Sequence, residues 1–324
     1  MKCIFLLSGE DLELAREEVL ALAGTHDHWI FENVLVIDTD FRFDRLAMTR
    51  KVYQHLFECD YKDLAKSMEE FDWKKVYAKS FSLRIMNIGH VKLHEKEAEL
   101  AKYIWEKVQE PRVDLKHSQT KVEVILTEDK VFVGKVLKEI HHEFYKRRPE
   151  ARPERHPTTI SPKLARACVN LTGIPVGKVM VDPFCGLGAF MIEAGLMRFN
   201  TVGYDISEKM LKMCEKNLDY FKIRRFHLER RDATQLNNLV DYVVTDLPYG
   251  KGSFITDALP KLYAAFLKNL WKTLRYKAVI IFPDFIDHRK LIEKTNFIVE
   301  HEFNIYVHKS LSRNIVVLSK PEKE

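Results

Sequence analysis

Just past the apolar run Val240-Asp241-Tyr242-Val243-Val244 stand Asp246, Leu247, Pro248 and Tyr249. Together they offer a carboxylate, an exposed carbonyl and an aromatic face. That set suits the gripping of a flat ring that carries an exocyclic amine, and Pro248 fixes the backbone φ so that the carbonyl at 247 is held outward. As a plainer alternative, Asp246 caps a helix or pairs with Lys251, and Tyr249 is ordinary packing. About 60 residues upstream, Val179-Met180-Val181-Asp182-Pro183-Phe184-Cys185-Gly186-Leu187-Gly188 reads as a buried strand running into a glycine-rich turn. Two such loops at strand ends can form one crevice.

The glycine-rich loop carries chemistry of its own. Gly186 and Gly188 allow positive φ and close approach to a ligand, and the helix expected over Ala189–Met197 turns its N-terminus toward negative charge. A second apolar strand, Thr201-Val202-Gly203-Tyr204, ends on Asp205, 17 positions after Gly188. An acid there can accept hydrogen bonds from two ribose hydroxyls. A third strand ends on Arg231-Asp232-Ala233, where an acid and a backbone amide can read an adenine edge. The fingerprint of a pyrophosphate dinucleotide lacks its third glycine, because Phe190 and Met191 occupy that region, so NAD is disfavoured. S-adenosylmethionine has no pyrophosphate and needs only ribose, adenine and methionine held. Asp182, Pro183, Gly186, Gly188, Asp205, Ile206, Asp232, Ala233 and Asp246 form the expected cofactor set. Asp182 binds the methionine amine or simply shapes its turn.

The elements that must position these residues alternate in the C-terminal half. Strands are expected near 178–183, 201–205, 226–231, 240–246 and 277–282, with helices after the first two and before the fifth, which predicts a doubly wound α/β sheet. A helix near Asp287–Lys294 leads to extended runs Phe297–Val307 and Asn314–Leu318, joined by His308 to Arg313, which read as an antiparallel hairpin. The N-terminal half is a mixed α+β region. It starts with strand Lys2–Leu7 and helix Asp11–Leu22, closed by Gly24 at a C′-like position. Strand Trp29–Ile37, helical segments 42–57 and 61–70, strand 80–88, helix 94–109 stopped by Pro111 and a hairpin around Thr127–Lys130 follow. Residues 141–157, with three prolines and many charges, read as an extended linker.

At 324 residues two domains are expected, and 46% hydrophobic content is ample for their cores. The net charge of +5 is too mild to argue for nucleic acid by itself. Its distribution is more telling, since Arg147, Arg148, Arg152 and Arg155 cluster with Lys146 and His156. Five cysteines without a Cys-x-x-Cys pair argue against a disulfide framework or a zinc site and for a reducing cytosol. Cys185 lies in the glycine loop with no base beside it in sequence, so it is not read as a nucleophile. Cys3 to Leu7 is too short for a signal peptide, and no apolar stretch reaches membrane-spanning length.

The order Asp-Pro-Phe-Cys-Gly-Leu-Gly, Gly-Tyr-Asp, Arg-Asp-Ala and Asp-Leu-Pro-Tyr, preceded by His156-Pro157 and Ser161-Pro162-Lys163-Leu164-Ala165-Arg166, resembles the THUMP-domain tRNA guanine-N2-methyltransferases, and most closely their archaeal tRNA (guanine-10) type. The resemblance covers essentially the whole chain, strongly over 156–255 and more loosely before 140. It implies a Rossmann-like class I methyltransferase domain over 158–324 with an antiparallel final hairpin. Before the 141–157 linker it implies an N-terminal region, 1–140, with a ferredoxin-like part at about 1–65 and a THUMP module at about 66–140. It further implies a cytoplasmic, monomeric, metal-free enzyme that holds the 3′ end of the tRNA acceptor stem with its N-terminal half and methylates N2 of guanosine 10 once or twice. His156 and Pro157 would shape a cofactor lid, and Arg147, Arg148, Arg152 and Arg155 would meet RNA phosphates. Two departures stand out. Leu247 replaces a common proline, as in the related guanine-6 enzymes, so guanosine 6 is the alternative target. Leu187-Gly188-Ala189 replaces the commoner Thr-Gly-Gly or Thr-Gly-Thr.

In that chemistry, Asp246 and the Leu247 carbonyl accept the two N–H hydrogens of guanine N2 and localise its lone pair. Tyr249 stacks on the flipped base. Asp246 or solvent takes the released proton. An N6-adenine methyltransferase uses a similar motif and is a rival that the N-terminal half weakens. A catalytically silent RNA-binding protein is disfavoured by the intact Asp246, Asp205 and glycine pair.

Overall fold

The computed structural model describes residues 1–156, 159–250, 254–308 and 311–321. They divide into two units. The first comprises Met1–Arg16, Thr25–Asp44 and Met48–His141, and the second comprises His142–Glu324 together with Glu17–Gly24 and Arg45–Ala47.

In the first unit, β1 (Lys2–Leu7), β2 (Trp29–Phe31), β3 (Val34–Asp38), β4 (Thr49–Cys59), β5 (Phe81–Asn87), β6 (Thr120–Leu126) and β7 (Val131–Glu139) form one sheet in the order β2-β3-β1-β4-β7-β6-β5. All neighbours are antiparallel except β5 and β6, whose connection contains α3 (Glu97–Trp105). Helix α2 (Leu64–Glu70) packs with α3 in an apolar cluster around Trp73, Phe81 and Ile104. Two expectations are corrected here. The run 29–37 is a tight hairpin of β2 and β3 rather than one strand, with Glu32 at φ 46° between them. Most of the helix expected over 42–57 is β4, which pairs with β1 on one side and β7 on the other. Val52, Tyr53, Leu56 and Phe57 are spaced as a helix face would be, but two ladders of partners override that local pattern. Because β4 bridges them, residues before and after 65 share one sheet.

In the second unit, β8 (Val179–Asp182), β9 (Asn200–Asp205), β10 (Phe226–Arg230), β11 (Val240–Asp246), β12 (Leu274–Pro283), β13 (Ile298–His308) and β14 (Leu311–Ser319) make a sheet in the order β10-β9-β8-β11-β12-β14-β13. β8 to β12 are parallel, and β14 runs antiparallel between β12 and β13. The expected α/β sheet with a closing antiparallel hairpin is therefore what forms. From β8 the chain steps outward to β9 and β10, then returns to the other side of β8 for β11 and β12. That reversal opens a crevice at the carboxyl ends of β8 and β11.

Helix α1 (Leu12–Ala23) ends on Gly24 at φ 64°, as its sequence predicts. Helix α4 (Pro162–Leu171) starts behind Ser161, whose hydroxyl accepts from the Leu164 amide at 3.3 Å, with Pro162 in the first helical turn. Helices α5 (Ala189–Leu196), α6 (Glu208–Tyr220) and α7 (Phe254–Thr273) connect successive strands, and the short α8 (His288–Ile292) precedes β13. Apolar side chains of β11, β12, β14 and α7, among them Val243, Leu267, Ile280 and Val316, fill the core beneath the crevice.

The segment 141–157 is not a simple extended linker. Phe144–Arg147 and Pro149–Ala151 form 3-10 turns, and Arg147 donates from Nε to Glu193 Oε1 at 2.7 Å. Arg166 donates from Nε to the other oxygen of Glu193 at 2.9 Å, so a fully buried carboxylate is held by two guanidinium groups. Burial and the neighbouring Arg166 push the His142 ring down to about 4, which keeps it neutral beside these cations.

Candidate active site

Four acids line the crevice, Asp182, Asp205 and Asp246 as the last residues of β8, β9 and β11 and Asp232 two residues past the end of β10, and they are held differently. Asp182, at the end of β8, is 1% exposed and accepts from the Thr245 hydroxyl at 2.7 Å and the Phe184 amide at 3.2 Å, both on Oδ1. It ties β8 to β11 and shapes the turn, and burial pushes its carboxyl up to about 7. Gly186 and Gly188 follow at φ 48° and 81°. A Cβ at Gly188 would stand 2.6 Å from Cys214 Sγ, so both space and backbone require glycine there. Cys185 is buried, and its hydrogen bond with Cys214 together with burial holds its thiol protonated, which agrees with its non-catalytic reading.

Asp205 reaches back to the glycine loop. Its Oδ2 accepts from the Gly186 amide at 3.2 Å and its Oδ1 from the Ser207 amide at 2.8 Å. Two carboxylate oxygens offer about four acceptor positions, so capacity remains for a vicinal diol. Burial raises its carboxyl above the ordinary range against those two donors. Ile206 next to it is 68% exposed and lines the cavity as an apolar face. Asp232 accepts from the Thr234 amide and hydroxyl, each at 2.8 Å, and from Gln235 Nε2 at 3.3 Å, which rigidifies the turn carrying Ala233.

Asp246 ends β11 and faces the same cavity, which has a volume of about 690 Å³ and is lined by all four acids, both 186 and 206, and the 246–250 loop. Tyr249 Oη donates to Asp246 Oδ1 at 2.7 Å, and Tyr263 Oη donates to the Pro248 carbonyl at 2.6 Å. The Leu247 amide is fixed to the Ile281 carbonyl at 3.1 Å while its side chain is buried. Burial pushes the Asp246 carboxyl up to about 6 against the opposing pull of Arg313 and the Tyr249 hydroxyl. At neutral pH it is therefore an anion in a largely apolar hollow. His156 also lines the cavity; Pro157, and the Lys251 considered as a partner for Asp246, lie outside the described residues.

Of the four arginines expected to meet RNA, Arg147 and Arg152 turn inward. Arg147 is committed to Glu193, and Arg152 is 4% exposed with its Nε donating to the Arg147 carbonyl at 3.0 Å. Both side chains are committed to the interior, Arg147 to a carboxylate and Arg152 to a backbone carbonyl, and this part of the expectation is corrected; Arg148 and Arg155 are exposed. Arg313, absent from the expected site, reaches Asp246 and Tyr249. Its signal lay in topology: an antiparallel strand beside β12 begins where the parallel strands end, so its first residues fall at the crevice.

The cavity fits S-adenosylmethionine in kind. It has the size of a small-molecule site, an acid with spare acceptor capacity stands at the end of β9, and the glycine turn leaves the loop backbone open to close approach. Asp205 would hold the ribose, Ile206, Asp232 and Ala233 the adenine, and the Gly186 loop the methionine portion. Bound there, the cofactor supplies an electrophilic methyl group. Fold and site define an S-adenosylmethionine-dependent methyltransferase.

Comparison with known proteins narrows this class. Residues 149–313 match a family model described as "RMKL-like, methyltransferase domain", and residues 24–216 match one described as "DNA methylase", a stretch that ends before Asp246. The tRNA (guanine(10)-N2)-dimethyltransferase of Methanothermobacter thermautotrophicus is 34% identical over 283 residues, covering 85% of this chain and 84% of the relative. The protein of the same name from Pyrococcus abyssi is 29% identical over 322 residues, covering 94% and 96%. The tRNA (guanine(6)-N2)-methyltransferase of Methanocaldococcus jannaschii is more distant, 22% identical over 299 residues, or 78% and 77%. The fold is shared with the crystal structure of TrmN from Thermus thermophilus, with a TM-score of 0.50, 18% identity and coverage of 99% and 100%. It is shared equally with a possible methylase from Clostridium difficile 630, with a TM-score of 0.51, 17% identity and coverage of 100% and 99%. The chain belongs to the tRNA (guanine(10)-N2)-dimethyltransferase family.

Proposed function

We propose that this enzyme transfers two methyl groups from S-adenosylmethionine to the exocyclic N2 of guanosine 10 in tRNA. The observation that carries the reading is the position of Asp246: an acid at the switch point that lines the same cavity as the glycine loop and Asp205. Guanine N2 is a poor nucleophile because its lone pair is delocalised into the ring. Asp246 and the Leu247 carbonyl accept its two N–H hydrogens, which localises the pair and aims it. Tyr249 forms the wall on which the flipped base stacks. As nitrogen takes the methyl group it loses a proton, which leaves to the Asp246 carboxylate or to water. Most of the acceleration comes from alignment.

The remaining parts of the proposal extend this reading. A THUMP module at about 66–140 docks the 3′ end of the acceptor stem and so measures the distance to the target; Arg148 and Arg155 meet phosphates on the way. The enzyme works as a cytoplasmic monomer without a metal ion. Among the described residues no helix is long and apolar enough to cross a membrane. Guanosine 6 is the second reading, favoured by Leu247-Pro248.

Incubation with labelled S-adenosylmethionine and mixed tRNA, followed by digestion and mapping of the methylated nucleoside, tests the proposal. The expected result is N2,N2-dimethylguanosine at position 10. Label at position 6, or in no guanosine, overturns it.

A further inference from the structure

The last strand of the catalytic sheet brings to the site a side chain for which the chemistry so far has no use. Arg313 is 4% exposed and stands in β14 opposite Pro283 of β12, while Asp246 ends β11 opposite Ile281 of the same β12. One whole strand separates them, so their backbones are about 10 Å apart, twice the ordinary spacing, and only a long side chain can cross. The guanidinium does cross. Its Nε donates to Tyr249 Oη at 2.9 Å and its Nη2 lies 3.6 Å from Asp246 Oδ2, while Tyr249 Oη donates to Asp246 Oδ1 at 2.7 Å. The three groups close a ring in which the tyrosine hydroxyl, rather than water, bridges acid and base.

We propose that Arg313 is the positioning residue of this site: it fixes the Tyr249 ring as the stacking wall and keeps the Asp246 carboxylate ionised to receive the amine of the target base. The inference rests on the reading of Asp246 as the amine acceptor. Asp246 is faced by Arg313 from β14, Tyr249 from its own loop, Asp182 from β8, Cys168 from α4 and Tyr263 from α7. Arg313 is the cation among them. Burial keeps the Cys168 thiol and the Tyr263 phenol protonated, and any charge on Asp182 opposes ionisation of Asp246. With burial already lifting the Asp246 carboxyl to about 6, loss of Arg313 removes the charge that holds it there. An arginine suits the task better than a lysine, because its planar fork addresses the hydroxyl through Nε and the carboxylate through Nη2 at once.

The test uses full-length Arg313→Met and Arg313→Lys, with single-turnover methyl transfer to tRNA measured across pH 5.5–9 and S-adenosylmethionine affinity and melting temperature measured alongside. For Arg313→Met the acidic limb of the pH–rate profile moves up by about one unit or more, the scale on which a close opposite charge acts on a carboxyl. A one-unit shift from about 6 lowers the rate at pH 7 about twofold through protonation, a loss that recovers at pH 9, and release of the Tyr249 ring lowers the rate further at every pH, while cofactor affinity stays within about threefold. Arg313→Lys keeps the wild-type limb but not the full rate, since it retains charge and loses the fork. An unshifted limb in a folded Arg313→Met protein overturns the inference. Arg313→Gln replaces it if the methionine variant does not fold, and failure of both to fold assigns Arg313 a structural role and likewise overturns it. Asp246→Asn separates the two readings: full activity in that variant defeats the reading of Asp246 itself, whereas its inactivity combined with a normal profile for Arg313→Met defeats only the role given to Arg313.

Discussion

Asp182 and Asp246 are the same side chain at the ends of adjacent parallel strands, with Asp182 level with the residue two before Asp246, and they are held differently. Asp182 is 1% exposed in the cavity wall, and its Oδ1 is taken by Thr245 and the Phe184 amide, which ties it to the scaffold. Asp246 opens onto the cavity and is held by two polar side chains that leave it available to a ligand. Position in the topology makes an acid a candidate. What its lone pairs already hold decides whether it acts on a substrate.

The sharpest way to break this contrast is Asp246→Ala. Turnover should drop about 100-fold or more, the cost of losing a positioned electrostatic partner, while tRNA affinity, supplied mainly by phosphate contacts, stays nearly constant. Retention of a tenth of wild-type turnover would remove Asp246 from the chemistry. Asp182→Ala should act on the fold instead, costing about 3 kcal/mol because the Thr245 hydroxyl and Phe184 amide lose their buried acceptor. Chemical denaturation reads that cost. Asp182→Asn keeps an acceptor and isolates the charge. In the wild type the Asp182 carboxyl is raised from 3.8 to about 7, so the folded state holds a proton that the unfolded chain releases, and stability declines as pH rises between those values. The asparagine variant should flatten that slope, and an unchanged slope would show that Asp182 is not the group responsible.

Asp205→Ala, which touches the cofactor side alone, should weaken S-adenosylmethionine by about tenfold, in line with losing one charge-assisted contact. Calorimetry with unaltered affinity would exclude Asp205 from the ribose. The mildest test varies pH alone. With Asp246 titrating at about 6, wild-type turnover should halve near that pH and decline as the acid protonates further, because a protonated carboxyl loses an acceptor for the amine. A flat profile down to pH 5 would contradict an ionised Asp246.

The acids and glycines of the site were legible because each sits where a short apolar strand stops, a signal contained within about ten residues. Arg313 was not. In sequence it belongs to a polar stretch between two extended runs, and only the pairing of β14 with β12, set by the whole sheet, carries it to Asp246. The misreading of 42–57 has the same origin, since Val52, Tyr53, Leu56 and Phe57 suit a helix until β1 and β7 supply ladders on both sides. Arg147 and Arg152 show the limit of charge counting. A cluster of arginines looks basic from outside, yet Glu193, 46 residues after Arg147, draws one of them inward and Arg152 follows through the Arg147 carbonyl.

Glu18 is fully buried, and its Oε1 accepts from the Ala47 amide at 2.8 Å and from Asn170 Nδ2 at 2.7 Å. The second of these partners comes 152 residues later in the chain. During synthesis, at about 5–20 residues per second, this carboxylate therefore waits several seconds or more in water before the pocket that will enclose it exists. The catalytic unit cannot finish its interior from its own contiguous stretch of chain, and this closure is a long-range one of the slow kind. Assembly of the methyltransferase core thereby depends on a segment made well before its partner.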